Sequence, residues 1–282
     1  MSRDMSAREI GEAEKQISGD IAGDVVPDSK NRKSREFLRG REGIIFLVIL
    51  IGLWQAVSVL STDQHRFLFP SLPVIAQALR DSLPELLKGT YFSFLILIPG
   101  YLLAVAAGIV CGIVVIHTGW LNRAFMPFAR VVAPVPPTIY IPYAIALLAT
   151  FRSASIFVVF IGAFWPVFLN TAAGAASIPG RYRDDARILG LSRFEYLRRV
   201  VFPASLPHSF SGMGVGLALS FILLTVAELF GANAGLGRFV QYYADYADYP
   251  RMVAGIIYTG LITFLSMAAL ERIKKRTLFW VR

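Results

Sequence analysis

The chain has 282 residues, of which 55% are hydrophobic and 17% are charged, with a formal net charge of +9. An average soluble domain carries about 25% charged residues, so this composition favours a membrane protein over a soluble one. The positive charge does not indicate a nucleic-acid-binding protein, because the basic residues gather at the ends of apolar stretches. The single cysteine, Cys111, can form neither an internal disulfide nor a cysteine-based zinc site.

Residues 1–42 are mixed in charge and poor in aromatic residues, which predicts a flexible cytoplasmic tail. Apolar stretches follow, and a hydrocarbon core about 30 Å thick requires roughly 20 such residues in a helix. The stretches are 44–60, 91–116, 125–150, 154–177, 210–230 and 252–270. The sequence therefore predicts an all-α membrane protein with about six transmembrane helices within residues 43–276, followed by a short cytoplasmic C-terminus at 277–282.

Two regions depart from a simple series of membrane-spanning helices. The third stretch contains Arg130 and several prolines, so we expect a broken helix, or a lead-in segment before a shorter span. Irregular backbone at membrane depth is tolerated only against protein or a water-filled cavity. Residues 71–88 place apolar side chains at near-helical spacing, which predicts a short helix on the outer membrane surface or capping the bundle.

The Lys and Arg residues that flank the stretches are unevenly distributed. Of the 28 in the chain, 22 flank the side that holds both termini and the loop 178–208, which leaves six for the other side. Positive flanking residues are retained in the cytoplasm. We therefore expect both termini to be cytoplasmic, which requires an even number of spans.

The loop 178–208 carries the most informative pattern. Two short amphipathic helices, at about 181–189 and 192–201, are predicted to meet at Gly190. Ser192 and Glu195 have the spacing of a capping box, and prolines at 203 and 207 are expected to end the second helix. Such a hairpin suits docking into a groove of another protein, although an ordinary basic loop between spans would show the same spacing. The apolar residues expected to fill a groove are Ile188, Leu189, Leu191, Phe194, Tyr196 and Leu197.

This loop resembles the coupling motif of permease subunits in binding-protein-dependent ATP-binding-cassette importers. That motif runs Glu-Ala-Ala, three residues, Gly, nine residues, Ile, one residue, Leu-Pro. The corresponding and neighbouring positions of this chain are Asp184, Asp185, Ala186, Arg187, Gly190, Leu191, Val200, Phe202 and Pro203. Asp185 in place of Ala and Phe202 in place of Leu are the clear departures from the motif.

The resemblance extends over about 67–279 and is closest to the nitrate/sulfonate/taurine branch. Its other carriers are Phe69-Pro70-Ser71, Pro142, Trp165-Pro166, Asn170-Thr171, Ala227-Glu228 and Gly235-Leu236-Gly237. It implies a type I importer permease in the bacterial inner membrane, working as a dimer with a second copy or a related permease. It also implies two separate ATPase subunits and an external substrate-binding protein. ATP and Mg would bind to the ATPase subunit, and this chain would carry no cofactor, metal or catalytic residue.

The cargo expected from the resemblance is a small anionic solute, but two departures affect its identity. Relatives often carry Arg where this chain has Ile96, and Gly followed by Lys where it has Ala149 and Ser155. Arg152 stands where an acidic residue is common. The sequence therefore does not select among nitrate, sulfonate, taurine, bicarbonate and aromatic carboxylate.

Other functions leave weaker signals in this chain. It contains no G-x-x-x-x-G-K-[ST] phosphate-binding loop, and its three histidines lie in three different loops. A passive channel, an intramembrane enzyme and a membrane scaffold remain as alternatives. The enzyme would require paired reactive groups within the spans, where Arg130 and Glu228 are essentially the only ionisable residues.

Two polar residues in the spans are candidates for the translocation path or its gate. Glu228 precedes a glycine-rich segment that contains Gly235 and Gly237. A carboxylate at membrane depth should face protein or water. We expect it either to bond the turn amides as a solvated anchor, or to hold an outer gate closed with Arg152 as charge partner. The amide of Asn170 needs partners outside its own helix, so we expect it at the inner mouth of the pore or at the dimer seam.

Overall fold

The computed structural model describes residues 29–60 and 68–280, which belong to two units, residues 1–69 and 70–282. In the first unit, helix α1 spans Ser29–Leu60, with an apolar portion at Ile45–Leu60. The end of the predicted tail is therefore helical, since Lys, Arg and Glu are good helix formers. The earlier part of the tail, residues 1–28, lies outside the described residues.

Helices make up almost all of the second unit, and no strand occurs among its described residues. The helices are α2 Leu72–Asp81, α3 Leu83–His117, α4 Gly119–Val132, α5 Ile141–Leu147, α6 Phe151–Ala176, α7 Arg181–Ile188, α8 Arg193–Tyr196, α9 Phe202–Gly231, α10 Leu236–Asp245 and α11 Tyr249–Thr277. A 3₁₀ turn at Pro137–Tyr140 precedes α5, and a π-helical turn at Leu197–Val201 joins α8 to α9.

The long apolar helices agree with the predicted spans. Among the described residues, α3, α6, α9 with its extension from residue 193, and α11 are long and apolar enough to cross a membrane. A fifth crossing is formed if α4 and the segment 137–147 count as one, and these two meet at 88°. The predicted break in the third stretch is thus confirmed. The apolar portion of α1 is the remaining predicted span.

Prolines do not end the helices where the sequence suggested. Pro203 lies in the first turn of α9 and Pro207 lies inside it, so the expectation that they terminate the second loop helix is wrong. The first turn of a helix tolerates proline because its N–H would have no helical partner there. Pro84 has the same role in α3, which begins at Leu83 and takes in the second half of the predicted outer helix.

Helix α6 is the centre of the second unit, because α3 and α9 pack along it. Its Val159, Ala163 and Val167 are completely buried. A Cβ atom at Gly108 of α3 would lie 2.8 Å from Val167 Cγ1, and one at Gly212 of α9 would lie 2.6 Å from the Pro166 carbonyl oxygen. Small residues that allow such close approach are typical of helix interfaces in membranes.

Apolar side chains cover the outer faces of the packed helices. Leu102, Leu103 and Val110 of α3 and Phe264 of α11 are each more than half exposed. Monomeric soluble proteins rarely expose contiguous apolar surface on this scale. These faces are therefore suited to contact with lipid chains.

A smaller apolar cluster closes one end of the unit, where α10 packs against the first turns of α3 and against α11. It comprises Leu86, Leu236, Phe239 and Tyr258. At its edge the Tyr243 hydroxyl donates a hydrogen bond to Glu85 Oε2 at 2.9 Å. Burial, together with this bond to a carboxylate, raises the pKa of the Tyr243 hydroxyl. We call this the α10 end of the unit.

The contact between α6 and α9 predicts different effects for two glycines of α9. Gly212→Val should destabilise the fold by about 1–3 kcal/mol, because the new side chain overlaps backbone atoms of α6. Gly214→Val is the matched control, since a Cβ at Gly214 meets nothing within 4 Å. Thermal unfolding of the detergent-solubilised chain measures both. Equal unfolding midpoints for the two variants would contradict this account of the packing.

Candidate functional sites

The segment 181–201 forms a helical hairpin, which we call the hairpin. After α7, Gly190 adopts a φ of +68°, the Leu191 N–H donates to the Ala186 carbonyl oxygen at 3.0 Å, and the Gly190 N–H donates to the Arg187 carbonyl oxygen at 3.0 Å. This is the glycine-ended helix terminus that requires a left-handed residue. The Ser192–Glu195 capping box then starts α8. Both features match the prediction from the sequence.

The tip of the hairpin presents apolar side chains to solvent. Ile188, Leu189 and Phe194 are 84%, 75% and 70% exposed, whereas Ala186 is buried. Asp184 and Arg187 form an exposed ion pair at 3.7 Å on the same helix. An exposed apolar tip beside a small charged patch is the kind of surface that docks into a groove of another protein.

The other predicted groove-filling residues have a different role. Tyr196 and Leu197 pack inward with Ile113, Ala175 and Val201, and so attach the hairpin to the ends of α3 and α6. Val200 occupies the Ile position of the motif, but the completely buried residue here is its neighbour Val201. The Arg193 guanidinium donates to the His117 carbonyl oxygen at 2.9 Å. The hairpin is therefore held against the corner between α3 and α4.

At the α10 end, the carboxylate of Glu228 is buried in a polar cluster, which we call the latch. Glu228 is only 1% exposed. Oε1 accepts a hydrogen bond from the Ser93 hydroxyl at 2.5 Å, and Oε2 accepts one from the Gly237 N–H at 2.7 Å. Ser93 Oγ also accepts from the Leu236 N–H at 3.0 Å. The latch thus joins α9, α3 and the start of α10.

The turn between α9 and α10 requires glycine where it meets the carboxylate. Gly235 has a φ of +148°, and a Cβ there would overlap the Glu228 carboxyl group. On its other side, a Cβ at Gly89 of α3 would lie 3.3 Å from the Gly235 backbone. The glycine-rich segment seen in the sequence is therefore a turn pressed between two helices.

Two expectations about Glu228 need correction. The carboxylate is not solvated, because protein groups surround it. Arg152 is not its charge partner: this side chain is exposed, and its guanidinium donates to the Leu95 carbonyl oxygen at 3.3 Å. Sequence reasoning missed Ser93, because a serine in an apolar run usually bonds its own helix and gives no signal of a distant partner.

Asn170 satisfies its amide within its own helix. Its Nδ2 donates to the Pro166 carbonyl oxygen at 2.9 Å, so the argument that it needs partners elsewhere is wrong. The side chain is half-buried, and its Cβ would lie 2.8 Å from a Cβ added to Gly212. Asn170 therefore lies where α6 meets α9.

A cavity of about 270 Å³ lies beside the latch. Lys88, Asn233 and Arg238 supply its positive charge and hydrogen-bond donors, and Gly89 and Gly235 form part of its wall. The carboxylate of Glu85, which accepts from the Tyr243 hydroxyl, also lines the cavity. Two basic side chains and one carboxylate therefore lie next to the glycine turn, and positive charge is in excess there. No cluster of His, Cys, Asp and Glu that could hold a metal ion occurs in residues 29–60 and 68–280.

The hairpin and the latch lie at opposite ends of one helix. Helix α9 has 30 residues, a length of about 45 Å. It follows the hairpin through the π-helical turn and carries Glu228 in its last turn. A displacement at either end can therefore reach the other through a single rigid element.

Comparison with known proteins shows the family of this chain. Residues 104–279 match the family described as the binding-protein-dependent transport system inner membrane component. The matched segment contains the hairpin and all of the latch except Ser93, which precedes it.

Curated relatives belong to nitrate and taurine systems. The nitrate import permease protein NrtB of Leptolyngbya laminosa is 35% identical over 63% of this chain and 63% of its own length. That of Synechococcus elongatus is 30% identical over 83% of this chain and 87% of its own. The taurine transport system permease protein TauC of Escherichia coli is 27% identical over 83% and 87%. The first alignment thus spans under two thirds of the relative.

A solved structure shows the same fold. A chain of the MetNI methionine ABC transporter in an inward-facing conformation superposes with a TM-score of 0.54. The match covers 74% of this chain and 99% of that chain at 18% identity. This similarity shows a shared fold with that transporter chain.

The hydrogen bonds of the latch predict a cost for removing the Ser93 hydroxyl. Ser93→Ala should lower the free energy of unfolding by about 1–3 kcal/mol, because it leaves a buried carboxylate oxygen and the Leu236 N–H without partners. Ser220→Ala is the control, since the equally buried Ser220 bonds only the Gly216 carbonyl oxygen of its own helix. If thermal unfolding shows the same loss for both variants, Ser93 has no special role in holding the turn.

Proposed function

We infer the role of this chain from its family: it belongs to the binding-protein-dependent transport system inner membrane components, and it is the permease subunit of an ATP-binding-cassette importer. The observation that carries the mechanism is the single helix α9, which joins an exposed hairpin to a buried latch. A channel or scaffold would not require this connection. The family is one of transporter components and not of catalytic enzymes.

We propose that the hairpin couples this chain to a separate ATPase subunit. The exposed Ile188, Leu189 and Phe194 would fill a groove in that subunit, with Asp184 and Arg187 at its rim. ATP and Mg would bind to the ATPase, and two such subunits would serve a pair of permeases. Closure of the ATPases would then move α7 and α8, and with them α9.

In the proposed topology the hairpin is cytoplasmic and the α10 end faces outward, in a bacterial inner membrane with both termini inside. The excess of Lys and Arg on the hairpin side supports this orientation. An external binding protein would dock at the α10 end and release its cargo there. The latch would hold the glycine turn closed until docking occurs.

We propose that two permeases, identical or related, line the path with their α9 helices facing each other. An open groove between α9 and α11, with Gly214 and Ala218 on its wall, supports this arrangement. No described side chain of the same chain covers Gly214, so the small-residue face is free for another helix.

We propose a small anion as the cargo. The relatives of this chain include permease proteins of nitrate, bicarbonate and taurine systems. The cavity beside the latch sets Lys88 and Arg238 against the carboxylate of Glu85, and this excess of positive charge supports an anionic solute or an anionic docking group. Ile96, where relatives often carry Arg, is buried in the apolar core and would not contact cargo. Identification of the ligand of the cognate binding protein would test the cargo directly.

The hairpin geometry predicts which substitutions of Gly190 uncouple transport. Gly190→Val should abolish most transport while the chain still inserts, because a β-branched residue at positive φ is strained and would re-aim the tip. Gly190→Asn should retain most transport, because Asn tolerates the left-handed region. Space is not the cause, since a Cβ at this position meets nothing within 4 Å.

Cargo uptake into proteoliposomes and co-purification of the ATPase measure the two effects. Wild-type uptake and normal ATPase retention in Gly190→Val would refute the coupling assignment. Equal losses in the Val and Asn variants would show that position 190 requires glycine for a reason other than φ.

The latch predicts altered control of ATP hydrolysis in Glu228→Gln. The Ser93 hydroxyl and the Gly237 N–H donate to different oxygens of the carboxylate, and in the amide one of these oxygens is replaced by an NH₂ group that cannot accept. We expect the complex to assemble and its basal ATPase rate to rise several-fold, with weaker stimulation by the binding protein. Unchanged basal and stimulated rates with unchanged transport would make Glu228 a structural anchor only.

A further inference from the structure

A second positively charged cavity, of about 490 Å³, lies on the inner side of the hairpin. We call it the basic cavity. Its charged and donor groups come from three elements: His117 from the end of α3, Arg183 and Arg187 from α7, and Arg193 from α8. No carboxylate lines it within the part of the chain that the structure describes.

The charges that line the basic cavity are only partly balanced within the chain. Arg187 is paired with Asp184 at 3.7 Å, and Arg193 donates to the His117 carbonyl oxygen and, at 3.3 Å, to Thr118 Oγ1. Arg183 forms no ion pair with any residue in 29–60 or 68–280. Arg183 and Arg187 also lie four residues apart on one helix, where like charges repel. An anion in the cavity would relieve this repulsion.

An unsatisfied polar atom lies at the same place. His117 Nε2 is buried and has no hydrogen-bond partner among the described residues. Buried nitrogen atoms are nearly always bonded in folded proteins, and the His117 ring that carries this one lines the cavity. Imidazole and guanidinium groups together present several N–H donors, which an oxyanion with its several acceptor oxygens can satisfy at once.

The surroundings of the basic cavity place it at the level of lipid headgroups. Trp120, which directly follows the lining residue Gly119, is 67% exposed. Exposed tryptophan at the end of a membrane-spanning helix is typical of the membrane interface. Basic pockets at the cytoplasmic ends of such helices bind the phosphates of lipid headgroups.

We propose that the basic cavity binds a phosphate-like oxyanion, either free or as the headgroup of an anionic phospholipid. The bound group would contact α3 through His117 and the hairpin through Arg183 and Arg193. It would thereby attach the hairpin to the α3–α4 corner more firmly than the Arg193 bonds alone. The headgroup source rests on the cytoplasmic orientation of the hairpin proposed above, whereas oxyanion binding is measured without cargo, binding protein or ATPase.

Binding is tested on the full-length chain in uncharged detergent, by the thermal unfolding midpoint. The probes are inorganic phosphate and micelles doped with phosphatidylglycerol, each compared with sodium chloride of equal ionic strength or with phosphatidylcholine. We expect at least one anionic probe to raise the midpoint. Arg183→Gln should weaken that binding roughly tenfold, the loss expected for one charge-assisted hydrogen bond.

Arg181→Gln is the matched control. Arg181 lies on the same helix and carries the same charge, but it stacks over the Tyr182 ring at 5.2 Å and does not line the cavity. The Arg181→Gln variant should bind both probes as the wild type does. His117→Leu is a second test variant, which should bind more weakly; because the lost ring also packs against Tyr196 with centroids 5.8 Å apart, each probe is compared with the unliganded midpoint of the same variant.

The two probes distinguish the sources of the oxyanion. A rise with inorganic phosphate shows a site for free oxyanions, and a rise with phosphatidylglycerol alone shows a headgroup site. The proposal is overturned if neither probe differs from its control, or if the Arg181 and Arg183 variants bind equally well.

Discussion

The carboxylate of Glu228 is removed from water at the end of a membrane helix, and protein groups must supply every hydrogen bond that water would have made. Hydrocarbon offers no donors, so an unpaired carboxylate there would cost several kcal/mol. Ser93 and the Gly237 amide provide the donors, and Ser93 in turn accepts from the Leu236 amide. This one requirement fixes the register of α3 against α9 and places the start of α10.

The glycine turn follows from the same requirement. Backbone amides can reach a buried carboxylate only if no side chain separates them, and a Cβ at Gly235 would occupy the position of the carboxyl group. The turn is therefore held by contacts that one conformational change can break together. A turn with this construction either keeps all of these hydrogen bonds or loses them together, because intermediate positions leave buried polar groups unpaired.

The sequence predicts the features that depend on neighbouring residues. The apolar stretches give the spans, the prolines give the break between α4 and the segment that follows, and the Ser192–Glu195 spacing gives the capping box. Gly190 is predicted as well, because a helix that ends before another begins needs a left-handed residue. The features that the sequence did not predict depend on contacts between residues far apart in the chain. The bond between Ser93 and Glu228, for example, joins residues that are 135 positions apart.

The prolines show that contacts between distant residues can also override a local preference. The sequence suggested that Pro203 and Pro207 would end the second loop helix, because proline removes an N–H donor. In the structure the π-helical turn at Leu197–Val201 lies directly before them, so the helical ladder is already irregular where the donors are missing. Its buried Val201 holds the segment against α3 and α6. Tertiary packing thus keeps helical a segment that local preference would have ended.

The hairpin divides two roles among adjacent residues, and its backbone geometry explains how. Ala186 is buried, whereas Ile188 and Leu189, two and three residues later, are 84% and 75% exposed. A helix that continued past Leu189 would turn following side chains back towards the Ala186 face. The left-handed Gly190 stops it, so the apolar tip stays free while Tyr196 and Leu197 pack inward. The hairpin thus combines an exposed apolar tip with a base packed against α3 and α6.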